Sequence, residues 1–385
     1  MSEPADATGR LETIRTRLED GMDRREFLRT VVTGGYALWM AQFLGVEDFL
    51  SADDGEVPVV TALVRDPEDP WTVEERTKSV PSRWYASVKK TIEMNERLAR
   101  ASITGYLGSA VVPGAYENPG ATITVEADTS DVDQVGRALE TILEGVQYDI
   151  EAIERVSGLG NDETGDPLYL EGSTGRHVPG GVVCGTHESI ATLTPALYAP
   201  EEERRFFATA QHAYAALEDE IDAKLTLRFR NGDETVAGRI RHTHPVEDLV
   251  AAEPTTEYVP DSAIGGPVSE RVRGQFTRFG LADLAARGES LEKVGAMTGH
   301  TTGRIQGIDA VTCLTDGYCR RGQLRWGSEV DMTDGDSGSV SYHSDPESDG
   351  VLVAGLNNAR TWWPGQSYIW GTAAYRLTDE YGYYF

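Results

Sequence analysis

The hydrophobic pattern changes character along the chain. Val73 to Leu98 is charged, with apolar positions at mostly helical spacing, and predicts a helix. Ala121-Thr-Ile-Thr-Val-Glu126 alternates apolar and polar residues, as a strand does. Asp128 to Asp131 offers caps for the next run, Val132 to Leu143, whose apolar residues return at helical spacing. Val146 to Ile153 reads as a second strand, so the middle of the chain predicts a small strand–helix–strand unit. Gly158 to Gly175 is rich in Gly, Asp, Asn and Thr and reads as a linker. From about residue 169 short strands and turns take over: Gly180-Gly-Val-Val, Ala191-Thr-Leu-Thr, Lys224-Leu-Thr-Leu-Arg-Phe-Arg before an Asn231-Gly232 turn, and Val351-Leu-Val-Ala-Gly. Asn-Gly between alternating runs is a strong hairpin signal, and closely spaced short strands point to a barrel or sandwich. The expected organisation is a leader over 1–52, an α/β N-terminal segment over 53–168 and an all-β C-terminal domain over 169–385.

The chain has 385 residues, of which 39% are hydrophobic, enough for sizeable cores. Charge changes the picture more. There are 63 Asp plus Glu against 35 Lys plus Arg, a formal net charge of −28. No basic stripe exists to neutralise phosphates, which excludes nucleic acid as a partner. The acids run along the whole chain instead of forming a tail. That pattern fits life at high salt, where screening removes self-repulsion, and an extreme halophile as source. Three cysteines are too few for a disulfide framework; Cys313 and Cys319 could close a small loop and Cys184 is left over. No cluster at ligand spacing argues for a metal, and no cofactor is expected.

Arg24-Arg25 with Phe27 and Leu28 precedes a modest apolar run, Val31 to Gly45. The pair and its register look like a twin-arginine export signal. The apolar run, roughly 15 residues, falls short of the ~20 of a spanning helix. The expectation is export through Arg24 and Arg25 to the cell surface or medium. Leu50-Ser51-Ala52 is a poor cleavage site, which leaves the leader as a removed signal or a retained anchor.

Three motifs carry chemistry. Asp334-Gly-Asp-Ser-Gly-Ser339 places a serine between glycines. A serine hydroxyl needs a base to take its proton and nearby N–H groups to hold a developing oxyanion, and flanking glycines allow the tight turn that exposes those groups. Phe206-Phe-Ala-Thr-Ala-Gln-His212 is an apolar strand that ends in a histidine. His244-Pro-Val-Glu-Asp248-Leu-Val-Ala-Ala sets an acid directly before an apolar run, where it can be buried and orient an imidazole; Glu247 beside it is a rival. Taken alone, the first motif also suits a surface turn and the histidine a structural role.

Together these contexts resemble the trypsin/chymotrypsin family of serine peptidases, in the chain order His, Asp, Ser. Ala208-Thr-Ala-Gln-His212 is similar to the family's T-A-x-H, with Gln211 where Ala or Gly is usual and Ala213 where Cys is often found. Asp248-Leu-Val-Ala-Ala is similar to D-[IV]-A-[LV], with one extra apolar residue. Gly335-Asp336-Ser337-Gly338 is similar to the nucleophile motif, with Ser339 for the second Gly. Val294-Gly-Ala-Met-Thr-Gly-His-Thr-Thr-Gly303 resembles the G-x-x-T-G-x-T-x-G stretch of microbial members. The resemblance covers roughly 169–385.

It implies a chymotrypsin-like double antiparallel β-barrel, six strands each, with the triad in the crevice between. Ser337 would be nucleophile, His212 general base and Asp248 its orienting acid. The N–H groups of Gly335 and Ser337 would form the oxyanion hole, and Asp336 would fix the loop. The partner implied is a protein or peptide substrate cleaved through an acyl-enzyme, and a monomer is expected. Asp331, shortly before the nucleophile, would favour Lys or Arg if it lies at the base of the primary pocket. His300 would favour Glu if it meets a substrate carboxylate. Trp362, Trp363, Tyr368 and Trp370 could line a subsite or belong to the core. The segment 53–168 reads as a pro-region or as a structural appendage. Two rivals differ in class. A silent binding or scaffold protein on the same fold has no need of all three triad residues. An α/β-hydrolase esterase requires Gly-x-Ser-x-Gly and the order Ser, Asp, His, which this chain does not have.

Overall fold

The computed structural model describes residues 55–153, 167–170, 176–186, 189–214, 217, 219–266, 269–313, 319–360 and 367–385. The leader with Arg24 and Arg25, most of the Gly158–Gly175 linker, and Trp362 and Trp363 lie outside the described residues. Among the described residues no helix is long and apolar enough to cross a membrane.

The N-terminal layer runs β1 (Glu56–Arg65), β2 (Val73–Pro81), α1 (Ser82–Arg100), β3 (Tyr106–Val112), β4 (Thr122–Asp128), α2 (Val132–Ile142) and β5 (Gln147–Ile153). The strand–helix–strand unit expected around residues 121–153 is present, with β4 and β5 parallel. The helix expected over Val73–Leu98 begins only at Ser82, and Val73–Pro81 is a strand paired with β1. Pro81 explains the boundary. It has no N–H to give a helix and it disfavours helical backbone in the residue before it. The charged residues of β2 suit an edge strand, which they shield from further pairing.

A short β6 (His177–Gly180) leads into the first barrel: β7 (Val183–Gly185), β8 (Ile190–Thr192), β9 (Leu197–Ala199), β10 (Arg204–Ala210), β11 (Lys224–Arg228), β12 (Glu234–His244) and β13 (Leu249–Pro254). Their order is β8-β7-β11-β12-β13-β10-β9. The sheet curls until Thr194, just past β8, donates its N–H to Ala208 of β10 at 3.0 Å. The expected Lys224 hairpin is there, β11 paired with β12. A bridge of β14 (Val259–Ile264), β15 (Glu270–Phe276) and α3 (Arg278–Ala286) follows, then β16 (Ser290–Gly295), β17 (Gly299–Cys313), β18 (Cys319–Trp326), β19 (Val340–Ser344), β20 (Val351–Arg360), β21 (Ile369–Ala373) and α4 (Ala374–Tyr381). Here β16, β17, β18, β21, β20 and β19 pair antiparallel in a closed ring. The C-terminal part is therefore a double antiparallel barrel of the chymotrypsin-like kind.

The N-terminal layer is sewn into the second barrel. β1 pairs with β15, and β3 pairs with β17. At Gly274 the strands approach so closely that a Cβ would sit 2.0 Å from the Leu63 carbonyl oxygen. Trp84, Val88 and Ile92, one face of α1, lie in one apolar cluster with Phe276, Leu291, Trp326 and Leu352. The Trp84 indole N–H finds the Gly114 carbonyl at 2.8 Å. A second cluster joins Leu197, Phe206, Ala208 and Leu249 of the first barrel to Val294, Val340, Val353 and Leu356 of the second. Cys313 and Cys319 form a disulfide, and Cys184 is a buried free thiol that burial pushes up to about 12.

Because α1 and the second barrel share a core, they are expected to unfold together. Trp84→Ala removes a fully buried indole and should destabilise the whole described fold by about 3–5 kcal/mol. Urea unfolding followed by circular dichroism and by tryptophan fluorescence should then show one coincident, shifted transition. A barrel transition left in place would separate the two layers energetically.

Candidate active site

The seam between the barrels gathers the three residues of the predicted triad. β10 carries Phe206 and Ala208 into the core, and the chain then tightens into a 3₁₀ turn over Gln211–Tyr214. Buried Tyr214 anchors that turn, and the Gln211 N–H binds the Asp248 carbonyl at 3.1 Å. His212 is left at the rim, with 42% of its side chain exposed.

Asp248 closes the β12–β13 hairpin with φ at 55°, a left-handed conformation that Asp tolerates better than most residues. Its Oδ1 accepts the His212 backbone N–H at 2.8 Å and its Oδ2 lies 2.7 Å from His212 Nδ1. Burial works against the charge on Asp248. The hydrogen bond and charge of His212, and then Arg320, overcome it and hold the carboxyl below its ordinary range. The neighbouring Glu247 turns the other way: Tyr381 Oη donates to it and Arg376 Nε stands 3.3 Å off. On the opposite wall Ser337 Oγ is 3.0 Å from His212 Nε2 and 3.2 Å from the Asn358 carbonyl oxygen. Asn358 ties the walls together, donating from Nδ2 to the Asp248 carbonyl at 3.1 Å.

The loop carrying Ser337 needs its glycines. Gly335 and Gly338 have φ of 93° and 94°. At Gly338 a Cβ would stand 2.2 Å from the Thr192 carbonyl oxygen. Thr192 holds the loop from the first barrel, giving its N–H to the Ser337 carbonyl at 2.9 Å and its Oγ1–H to the Gly335 carbonyl at 2.8 Å. The N–H groups of Gly335 and Ser337 have no acceptor among the described residues.

Asp336 points away from Ser337 Oγ into a fully buried cradle made by the β16–β17 hairpin. Its Oδ1 accepts from the N–H of Met297 at 2.8 Å and of Thr298 at 3.2 Å; its Oδ2 accepts from Thr298 Oγ1 at 2.6 Å and lies 3.3 Å from Lys293 Nζ. These are residues of the glycine-containing stretch around Val294–Gly303, whose Gly295 has a physical reason. A Cβ there would lie 2.3 Å from Asp336 Oδ1. Both side chains of the Lys293–Asp336 pair are fully buried, and burial pulls the Lys293 ammonium below its ordinary range against the pull of Asp336.

The specificity candidates sit differently. Asp331 caps its own 3₁₀ turn, its Oδ2 accepting the Ser328 N–H at 2.8 Å. His300 is exposed on β17 with Nε2 2.6 Å from Glu292. Neither side chain touches the triad. Tyr368 and Trp370 are buried, packing their rings 4.9 and 5.6 Å from the Arg325 guanidinium. Arg325 also meets the buried Glu126 of β4 at 2.9 Å. Sequence reasoning missed Lys293, Arg320 and Asn358. Lys293 had a signal, a lysine on the same face of β16 as the core residue Leu291; the other two had none. Among the described residues no group of His, Cys, Asp and Glu is arranged to hold a metal ion.

No family model matches this chain, and no curated protein matches it. Among solved structures it is similar to a glutamic-acid-specific serine protease described as using a histidine triad in substrate binding (16% identity, 54% of this chain and 99% of that chain, TM-score 0.41). It is also similar to the Nocardiopsis protease NAPase (15%, 54% and 97%, TM-score 0.39) and to a Cellulomonas bogoriensis chymotrypsin (14%, 54% and 97%, TM-score 0.38). The two barrels themselves are established by this chain's own strand pairings.

Two outcomes are expected. Lys293→Met leaves Asp336 buried without its cation. Breaking a buried pair typically costs 3–5 kcal/mol, and the donors that remain on Asp336 put the loss near the lower end, about 3 kcal/mol by urea unfolding. His244, at the end of β12, is pushed down to about 4 by burial, with His242 adding to the effect. The unfolded chain therefore binds a proton that the folded chain refuses. The penalty is absent above pH 6.5, grows on acidification and is complete near pH 4, reaching about 3 kcal/mol. His244→Phe should abolish that dependence, as unfolding curves at pH 4 and 7 will show.

Proposed function

We propose that this protein is a serine endopeptidase that acts through Ser337, His212 and Asp248. One observation carries the reading: an unbroken hydrogen-bonded run from Asp248 through His212 to Ser337, at 2.7 and 3.0 Å, across the seam of two barrels. In this reading Ser337 Oγ attacks the scissile carbonyl while His212 Nε2 takes its proton. The carbonyl oxygen becomes an oxyanion between the N–H groups of Gly335 and Ser337. Asp248 holds the Nδ1–H tautomer and stabilises the imidazolium, which then protonates the leaving amine. Water repeats the sequence on the acyl-enzyme and frees Ser337. No step calls for a metal or organic cofactor.

The substrate class is protein or peptide. A basic residue directed to Asp331 would compete with the Ser328 N–H for its carboxylate, and an acidic residue directed to His300 would compete with Glu292. We further propose that the segment 53–168 stays with the barrels as a permanent layer and is not discarded as a pro-region. The shared core around Trp84 and the buried Glu126–Arg325 pair support this. Export through Arg24 and Arg25, release to the surface or medium, a monomeric state and operation at high salt complete the proposal. The arginine pair and the net charge of −28 support export and the high-salt setting.

A fluorophosphonate probe tests the reading. The wild-type protein should be modified at Ser337, identified by mass spectrometry, and Ser337→Ala should not react. Asp248→Asn should slow the reaction by about 10⁴, since it stabilises the wrong tautomer of His212. A folded wild-type protein that never reacts would leave the fold as a binding scaffold.

A further inference from the structure

The acid of the triad has a second cationic partner. Arg320 Nη1 lies 3.0 Å from Asp248 Oδ2, the oxygen that also holds His212 Nδ1 at 2.7 Å. Both ends of the new contact are buried, with side-chain exposures of 7% and 1%. The arginine comes from the other barrel. It follows Cys319 at the start of β18, opposite Thr312, where the Cys313–Cys319 disulfide clamps the two strands together. Other charged side chains around the seam have their own partners. The carboxylate of Glu247 faces Arg376 and Tyr381 of α4, Glu220 accepts from Gln211, and Lys293 is held at Asp336. Asn358 and Ser337 add only neutral groups. Apart from His212, Arg320 is the one cation in contact with Asp248 among the described residues.

We propose that Arg320 is a positioning residue that sets the acidic limit of activity by sharing the charge of Asp248 with His212. This rests on the hydrolase reading above. A carboxylate with a permanent cation beside it has less negative potential to offer an imidazolium on the same oxygen. The guanidinium also repels the imidazolium directly. Both effects weaken the hold of the Asp248–His212 pair on a further positive charge, and that links the contact to the acid side of the activity profile. An opposite or like charge at this range moves a titration by roughly 1–3 pH units. An arginine suits the role because it does not lose its own proton across the working range. The same contact joins the second barrel to the hairpin corner that holds Asp248, so it fixes the carboxylate in place as well.

The test measures the second-order rate of Ser337 phosphonylation by a fluorophosphonate across pH 4–9, with folding of each variant checked by circular dichroism. Removing the charge with Arg320→Gln should move the acid limb of the profile upward by about one pH unit or more. Arg320→Lys, which keeps the charge, should recover most of the shift. If the Gln variant does not fold, replacement of Arg320 by citrulline keeps the length and planar end of the side chain and three of its five N–H donors while it removes the charge; the same upward shift is expected. A folded, reactive variant whose acid limb stays at the wild-type pH overturns the proposal and leaves Arg320 a structural tie. A wild-type protein that is not labelled at any pH overturns the hydrolase reading instead, and this inference falls with it.

Discussion

A hydrogen bond works only over a few tenths of an ångström, and the decisive one here spans two separately built barrels. His212 and Asp248 belong to the first barrel and Ser337 to the second, so the 3.0 Å from imidazole to hydroxyl depends on how the barrels dock. Much of the seam can be understood as a means of holding that distance. Thr192 binds the Ser337 loop at two carbonyls, Asn358 binds the Asp248 corner, and apolar residues from both barrels fill the space beneath. The glycines of the loop are required by the same constraint: a Cβ at Gly338 would stand 2.2 Å from the Thr192 carbonyl oxygen of the first barrel, and Gly335 has φ of 93°.

Buried charge follows the same logic. Ions are costly to bury unless paired and hydrogen-bonded. This chain accepts the cost at places that fix the seam or its surroundings: Lys293 with Asp336 behind Ser337, Arg320 with Asp248 behind His212, and Glu126 with Arg325 between the N-terminal layer and the second barrel. In a molecule with so large an excess of acids, each of these sites assigns a scarce cation to a buried carboxylate. The N-terminal layer is thereby attached by strand pairing, by a common core and by an ion pair.

Where local chemistry decides, the sequence was legible. The Asn231-Gly232 hairpin, the β4–α2–β5 unit and the short strands of the barrels follow from turn residues and periodicity. The three residues that meet at the seam also stand in distinct local contexts: a histidine at a strand end, an acid before an apolar run, a serine between glycines. The β2 strand was misread as helix because its charged residues carry little β signal, and its partner β1 supplies what they lack. Long-range pairing also hid Arg320 and Asn358. An arginine beside a cysteine has no local mark that says which carboxylate it will meet. Asp331 shows the converse. Its position suggested a pocket, while the turn it caps has claimed its carboxylate.

A crystal structure of the protein inactivated by a fluorophosphonate measures the geometry of the seam directly. The expected result is phosphorus bonded to Ser337 Oγ, with one phosphonyl oxygen about 2.7–3.1 Å from both the Gly335 and Ser337 nitrogens and His212 still joined to Asp248. An adduct on another residue, or a phosphonyl oxygen turned away from those two N–H groups, would contradict it.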